Sequence, residues 1–253
     1  MVLQVQEGHG QLTAAAGPRV LVATAVSAER EAVAAASSGT AHEIRLPGAT
    51  LHRVGGHDLL AAGVGPALAA ASVSAALTAA ALGGAPYRLV VCAGIAGGFQ
   101  PGAPVGSLVV ADDIVAADLG AEAPEGFLPV TELGFGTVSH RPPKSLVREV
   151  AAATGGRVGT VLTVSTVTGS AARAAELRAR HPGALAEAME GFGVAEAAGA
   201  HGVPVLEIRA VSNPVGPRDR AAWRVGDALA ALTGAFGKLG PLLESWNPHE
   251  LTD

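Results

Sequence analysis

Cysteine is almost missing from this sequence: Cys92 stands alone among 253 residues, so no internal disulfide can form. It lies inside an apolar run, where a buried structural thiol of a reducing compartment is expected. Basic charge is scarce too. Lys and Arg number 17 against 22 Asp and Glu, for a net charge of −5, and they are scattered, which excludes the basic patch that nucleic acid or an anionic lipid surface requires. No His-Glu-x-x-His and no close His cluster occurs among the eight histidines, so no metal is expected, and His140 is given no role. The long apolar segment 61–85 is interrupted by Pro66, Ser72, Ser74, Thr78 and Gly83-Gly84, and reads as a packed helix rather than a membrane span. Residues 1–18 have no basic head followed by an apolar stretch, so a loose tail and a cytoplasmic location are expected rather than a signal peptide. No linker divides the remainder, 19–253, which is read as one domain without internal repeats.

What is present is an interior. Hydrophobic residues make up 49% and charged ones 15%, which excludes general disorder, and 34 Gly with 16 Pro mark frequent tight turns. The pattern alternates. Strands are expected at 19–25, in short pieces over 43–62, at 88–93 and at 107–116; helices are expected over 28–36 and from Pro66 to about residue 82. A Gly-rich turn is expected at 94–102 and an irregular loop over 118–143. Segments 144–153, 158–164, 171–180, 184–200, 203–211 and 223–243 continue the alternation, which implies an α/β fold with helices on both faces of one sheet.

In such folds the sites gather at the carboxyl ends of strands. Ser27 follows the first strand as a possible N-cap, with Glu29 and Glu31 in the turn after it. Gly63-Val64-Gly65 and Gly94-Ile95-Ala96-Gly97-Gly98 follow later strands; neither is a Rossmann fingerprint or a P-loop, because the glycine spacing is wrong and no Lys-Ser/Thr follows. Met189-Glu190-Gly191 is expected to open a helix in which an apolar face carries a carboxylate, and that carboxylate needs a partner. A β-branched run from Val205 ends in polar Ser212-Asn213, as a buried strand does where it emerges at a site. Taken singly, each has a plain structural reading: a Glu complements a helix dipole and an Asn makes a turn.

Taken together, Met189-Glu190-Gly191 with Arg209-Ala210-Val211-Ser212-Asn213 resembles the nucleoside phosphorylase and nucleosidase superfamily, and the Gly94–Gly98 loop is similar to the loop beneath ribose and base there. The resemblance implies a single-domain, three-layer α/β/α sandwich with a mixed, partly barrel-like sheet as the catalytic domain. It further implies Met189 and Glu190 at the ribose hydroxyls, Glu29 rather than Glu31 as base for an attacking water, and Gly94, Ile95, Ala96, Gly97 and Ser212 around the purine. Thr166 and Val167 stand where relatives carry an aromatic residue over the base, with Phe192, or Phe127 and Phe135 from the long loop, as possible substitutes.

The departures are informative. Adenine-releasing nucleosidases of the superfamily have Ser-Asp where this chain has Ser212-Asn213. A carboxamide supplies no proton, but it suits a 6-oxopurine, whose O6 and N7 both accept hydrogen bonds. The stretch through Gly216, Arg218-Asp219 and Trp223 resembles the futalosine hydrolase family within the superfamily, which implies hydrolytic release of hypoxanthine from futalosine in a menaquinone pathway. Asp219 is then an alternative acid, its plain reading being a salt bridge with Arg218 or Arg220. Arg218 is a candidate for the substrate's aryl carboxylate, because a guanidinium binds carboxylate at two points. No cofactor is implied. The partners are a small-molecule nucleoside and copies of the same chain, as a dimer or tetramer, with no nucleic acid and no membrane. Adenine nucleosidase, phosphate-dependent phosphorylase and a non-catalytic nucleoside-binding protein remain as alternatives, although the loop 23–28 lacks the Arg and Gly-Asp-Pro that would favour phosphate.

Overall fold

A computed structural model describes residues 19–124 and 126–247; the tail expected over 1–18 lies outside them. The elements run β1 (Arg19–Thr24), α1 (Ser27–Ala34), β2 (His42–Leu46), β3 (Ala49–Val54), β4 (His57–Ala61), α2 (Pro66–Leu82), β5 (Tyr87–Gly98) and β6 (Leu108–Ala116). They continue with β7 (Gly120–Ala123), β8 (Gly126–Pro129), β9 (Ser139–His140), α3 (Lys144–Thr154), β10 (Arg157–Thr163), α4 (Ala171–Arg180), β11 (Ala184–Ala188), α5 (Gly191–Ala200), β12 (Val205–Pro214) and α6 (Val225–Ser245).

The apolar runs of the sequence become the interior strands. β1 is buried at all six positions, and it lies parallel to both β4 and β5, as a strand covered on both faces must. Two tight turns convert 42–61 into an antiparallel meander, with Gly48 and Gly55 taking the positive φ that an L side chain resists. Pro66 starts α2 where its missing N–H costs nothing.

The strands are ordered β11-β10-β6-β12-β5-β1-β4-β3-β2, and an added β11–β5 pairing closes the first five into a ring. The sheet is therefore open at one end and barrel-like at the other. Buried residues of α2 and α5 cover one face, among them Val73, Leu77, Val194 and Ala198. On the opposite face Val33 of α1, Leu146 and Val150 of α3, and Leu232, Phe236 and Leu239 of α6 pack against Val20, Val22, Leu89 and Val91. Hydrophobic burial on two sides of one sheet gives the expected three-layer α/β/α architecture.

Five local expectations need correction. Residues 94–98 are the end of β5 rather than a turn, because neighbours crowd them: a Cβ on Gly94 would lie 2.6 Å from Glu29 Oε1. Segment 184–200 divides into β11 and α5, with Glu190 at the junction as the residue preceding the helix. Val26, not Ser27, caps α1, since the Glu29 side chain reaches back to the Val26 N–H. The 118–143 loop contains a β7–β8 hairpin and the short β9 paired with β6. Ser212 and Asn213 belong to β12, which continues pairing with β5 past a bulge at Val211/Asn213.

Candidate active site

A cavity of about 390 Å³ opens where β1, β5, β11 and β12 end. Its wall includes Glu29, Ile95, Ala96, Gly97, Val167, Met189, Glu190, Ser212, Asn213 and Arg218 of the expected site, which five separate parts of the chain supply. Thr168, Glu187 and Trp223 join them.

Glu29 is buried at the start of α1. Its Oε2 accepts the N–H of Ala25 at 2.9 Å and of Val26 at 3.2 Å, while Oε1 accepts Ile95 N–H from β5 at 2.8 Å. Main-chain donors from two elements thus fix its orientation. Glu31 points to solvent beside Arg30, so of the two candidates only Glu29 reaches the cavity.

Glu190 is buried opposite, with Oε1 accepting Gly65 N–H at 3.2 Å. Its Oε2 lies 3.3 Å from Nη1 of Arg209, which is buried behind the wall. The guanidinium also donates through Nε to Glu207 at 2.8 Å, and through Nη2 to Cys92 Sγ at 3.2 Å. Burial opposes a charge on Arg209, but the carboxylates of Glu207, Glu190 and Glu29 outweigh it and hold the guanidinium firmly protonated. Burial raises the Glu207 pKa against the pull of Arg209. Its Oε2 has no hydrogen-bond partner among the described residues. Gly94 sits behind this cluster, where a Cβ would be 2.8 Å from Arg209 Nη1. The Cys92 thiol is buried as expected, and its burial pushes its pKa up.

On the base side, the Asn213 Oδ1 is 2.8 Å from Ser212 Oγ and its Nδ2 donates to the Pro214 carbonyl at 3.0 Å. One amide hydrogen of Asn213 therefore has no part in these bonds. Glu187, buried on β11, accepts the Thr168 N–H at 2.8 Å and the Thr168 hydroxyl at 2.5 Å. Burial raises its pKa and the two bonds to Thr168 partly offset the rise. The Arg218 guanidinium lies 5.5 Å over the Trp223 ring at the outer wall.

Other expected residues stand elsewhere. Thr166 is outside the wall that Val167 joins. Phe192 packs its ring against His140 at 5.4 Å, Phe127 lies under Arg180, and Phe135 is exposed. Among the described residues, the aromatic one that lines the cavity is Trp223. Asp219 is exposed and accepts the Ala221 N–H, capping a short 3-10 turn at Arg220–Ala222. The sequence reading passed over Glu187, Glu207 and Arg209. A signal existed for the last two: charges of opposite sign spaced i, i+2 in a β-branched run share one face of the strand.

The model of the phosphorylase superfamily matches residues 18–239. The chain belongs to that superfamily. Within the superfamily it is 76% identical, over 91% of its length and 99% of the relative's, to futalosine hydrolase of Streptomyces coelicolor. It is 47% identical to futalosine hydrolase of Acidothermus cellulolyticus, over 87% of this chain and 89% of that one. The solved structure of futalosine hydrolase from Helicobacter pylori shares the superfamily fold, with a TM-score of 0.74 at 18% identity over 89% of this chain and 98% of that one.

Proposed function

We propose that this chain cleaves the N-glycosidic bond of futalosine with water, releasing hypoxanthine and dehypoxanthine futalosine in menaquinone biosynthesis. The observation that carries this reading is the burial of Glu29 and Glu190 on one cavity whose wall also holds Asn213, in a chain so similar to named futalosine hydrolases.

In the proposed reaction Glu190, with Met189 beside it, accepts hydrogen bonds from the ribose hydroxyls. Glu29 takes a proton from the attacking water as the water oxygen bonds to C1′. The C1′–N9 bond breaks and its electron pair leaves with the purine, which takes up a proton from solvent water; the ribose passes through an oxocarbenium-like cation, and Glu29 returns to solvent the proton it took. Two fixed carboxylates near that developing charge stabilise it without reorganisation. Gly97, Ala96 and Ile95 form a floor under the base, with Gly94 behind it and Ser212 holding Asn213. Asn213 donates its free amide hydrogen to the O6/N7 edge. Arg218 is proposed to hold the aryl carboxylate of the substrate, as a guanidinium does. Hydrolysis rather than phosphorolysis is supported by the wall itself, where Arg218 is the one cation among the described lining residues.

No described helix is long and apolar enough to cross a membrane. A cytoplasmic location fits the unpaired thiol of Cys92. Residues 19–253 are proposed to act as one catalytic domain and the enzyme as a homo-oligomer, in keeping with the exposed apolar side chains of Val64 at the cavity and Leu68 on α2.

Purine release from purified protein, offered futalosine, inosine and methylthioadenosine with and without phosphate, tests the proposal. Phosphate-independent release of hypoxanthine from futalosine is the expected result. Adenine release from methylthioadenosine in preference, or a strict need for phosphate, would overturn it.

A further inference from the structure

Glu207 is fully buried, stands behind the cavity wall rather than in it, and has no part in the reaction described above. The strand around it is apolar. Leu206, Ile208 and Ala210 pack toward α1, α3 and α6, while Glu207 and Arg209 turn to the other face of β12, paired with Cys92 and Gly94 of β5. Stability alone is a poor reason for this pair, since apolar side chains of similar volume often match or better a buried ion pair. Space has nevertheless been cleared for it. A Cβ on Gly191, the residue after Glu190, would overlap both carboxylate oxygens of Glu207, and a Cβ on Gly94 would stand 2.8 Å from Arg209 Nη1.

The guanidinium is shared unequally. Its Nε is 2.8 Å from Glu207 Oε1, whereas its Nη1 is 3.3 Å from Glu190 Oε2. A proton on Glu207 Oε2 would meet no acceptor among the described residues, so the pair stands as guanidinium and carboxylate against the burial that raises the Glu207 pKa. Three carboxylates, those of Glu207, Glu190 and Glu29, act on this one cation. Its shortest ion pair is with Glu207, and Glu190 is therefore only partly neutralised.

We propose that Glu207 is a positioning residue: by holding Arg209 to itself it keeps the guanidinium from closing on Glu190, whose charge stays available to a sugar ring that turns cationic. This rests on the reading of Glu190 as the residue at the ribose. Without the Glu207 charge, Arg209 is drawn to Glu190 alone. A cation beside Glu190 then loses much of its attraction, while a neutral ring is held as before by its hydroxyl hydrogen bonds.

Two sugar rings without base or tail isolate the effect: 1,4-dideoxy-1,4-imino-D-ribitol, whose ring nitrogen is protonated, and neutral 1,4-anhydro-D-ribitol, which has oxygen there. Their dissociation constants are measured by NMR titration against the wild-type chain, Glu207→Gln and Glu207→Asp. The wild-type chain should prefer the imino ring. In E207Q, where the amide oxygen still accepts from Arg209 Nε, that preference should fall by roughly 10–100-fold, the worth of one charge about 6–12 Å away at an effective dielectric constant near 20. Binding of the anhydro ring should change little. E207D keeps the charge and should keep the preference. Equal weakening of both rings in E207Q would make Glu207 a packing prop and overturn the proposal, as would a lost preference in E207D, or a wild-type chain that favours neither ring or binds neither. Should E207Q fail to fold, E207D decides: a preference retained supports the role and a preference lost removes it. Futalosine cleavage by the wild-type chain is a separate arm, and its absence beside an intact preference for the imino ring would fail the substrate reading and leave Glu207 in its role.

Discussion

Glu29 accepts hydrogen bonds from three main-chain N–H groups, an arrangement that fixes where its oxygens point. Replacing it by Gln removes the proposed base and also turns an amide nitrogen toward one of those N–H groups. We therefore expect Glu29→Gln to lower kcat by on the order of 10²–10⁴-fold and to cost about 1–3 kcal/mol of stability, with substrate still bound. Steady-state kinetics beside urea unfolding checks both, and an unaltered kcat would remove Glu29 from its role. Glu29 was singled out through the superfamily resemblance, since its position after a buried strand is met equally by a carboxylate that complements the helix dipole. Arg209 showed in the sequence only as a charge spaced i, i+2 from Glu207, although it is among the largest fully buried side chains of the molecule. Its meaning depends on Glu190 and Glu207, and only packing brings Glu190 to it.

At the level of elements, the far end of the sheet is tied by one carboxylate. Asp58 of β4 accepts from Arg19 of β1 at 2.8 Å, from Arg53 of β3 at 2.9 and 3.0 Å, and from Tyr87 of β5 at 2.7 Å. Burial works to raise its pKa, but the bonds from Arg53, Arg19 and Tyr87 prevail and hold it below the ordinary value of 3.8. A carboxyl whose folded pKa is depressed stabilises the fold above its unfolded pKa, and that contribution fades as pH falls from about 4 through the folded value. Asp58→Asn should cost about 3 kcal/mol at neutral pH by stranding two guanidinium groups. Melting temperatures of the two proteins should then converge as pH drops below about 4; a constant gap down to pH 2 would mean that the ion pairs are not the cause. The elements misread from sequence, β11 and the end of β5, have a common cause. Both are short in β-branched residues, with Ala184–Ala188 carrying alanines and 94–98 carrying glycines, so local propensity spoke for helix and turn while the sheet's ring of pairings decided for strand.

For the molecule as a whole, β5 is the hub: it pairs with β1, β12 and β11 and is buried over most of its length. The β7–β8 hairpin lies off the main sheet and is half-exposed. Native-state amide exchange should therefore be slowest in β1, β5 and the buried part of β12, approaching the global unfolding limit, and fastest in the hairpin. Hairpin amides as protected as those of β5 would contradict this ordering. The arrangement also suits the site, because Glu29, Gly97 and Asn213 are carried on or beside the most stable strands, where geometry is held closely.

The sequence alone determined the α/β alternation, since hydrophobic period and turn residues are local properties. It also determined the membership that Met189-Glu190 and Ser212-Asn213 announced, because these chemical groups are invariant to how the chain is folded in detail. Tertiary structure alone decided which groups face one another. The ring closure that places β11 against β5 sets Glu187 and Asn213 on either side of Gly97, residues that lie 26 positions apart in the chain, and it brings Arg209 behind Glu190. Such contacts arise from sheet register, a long-range property to which no single segment contributes a readable signal.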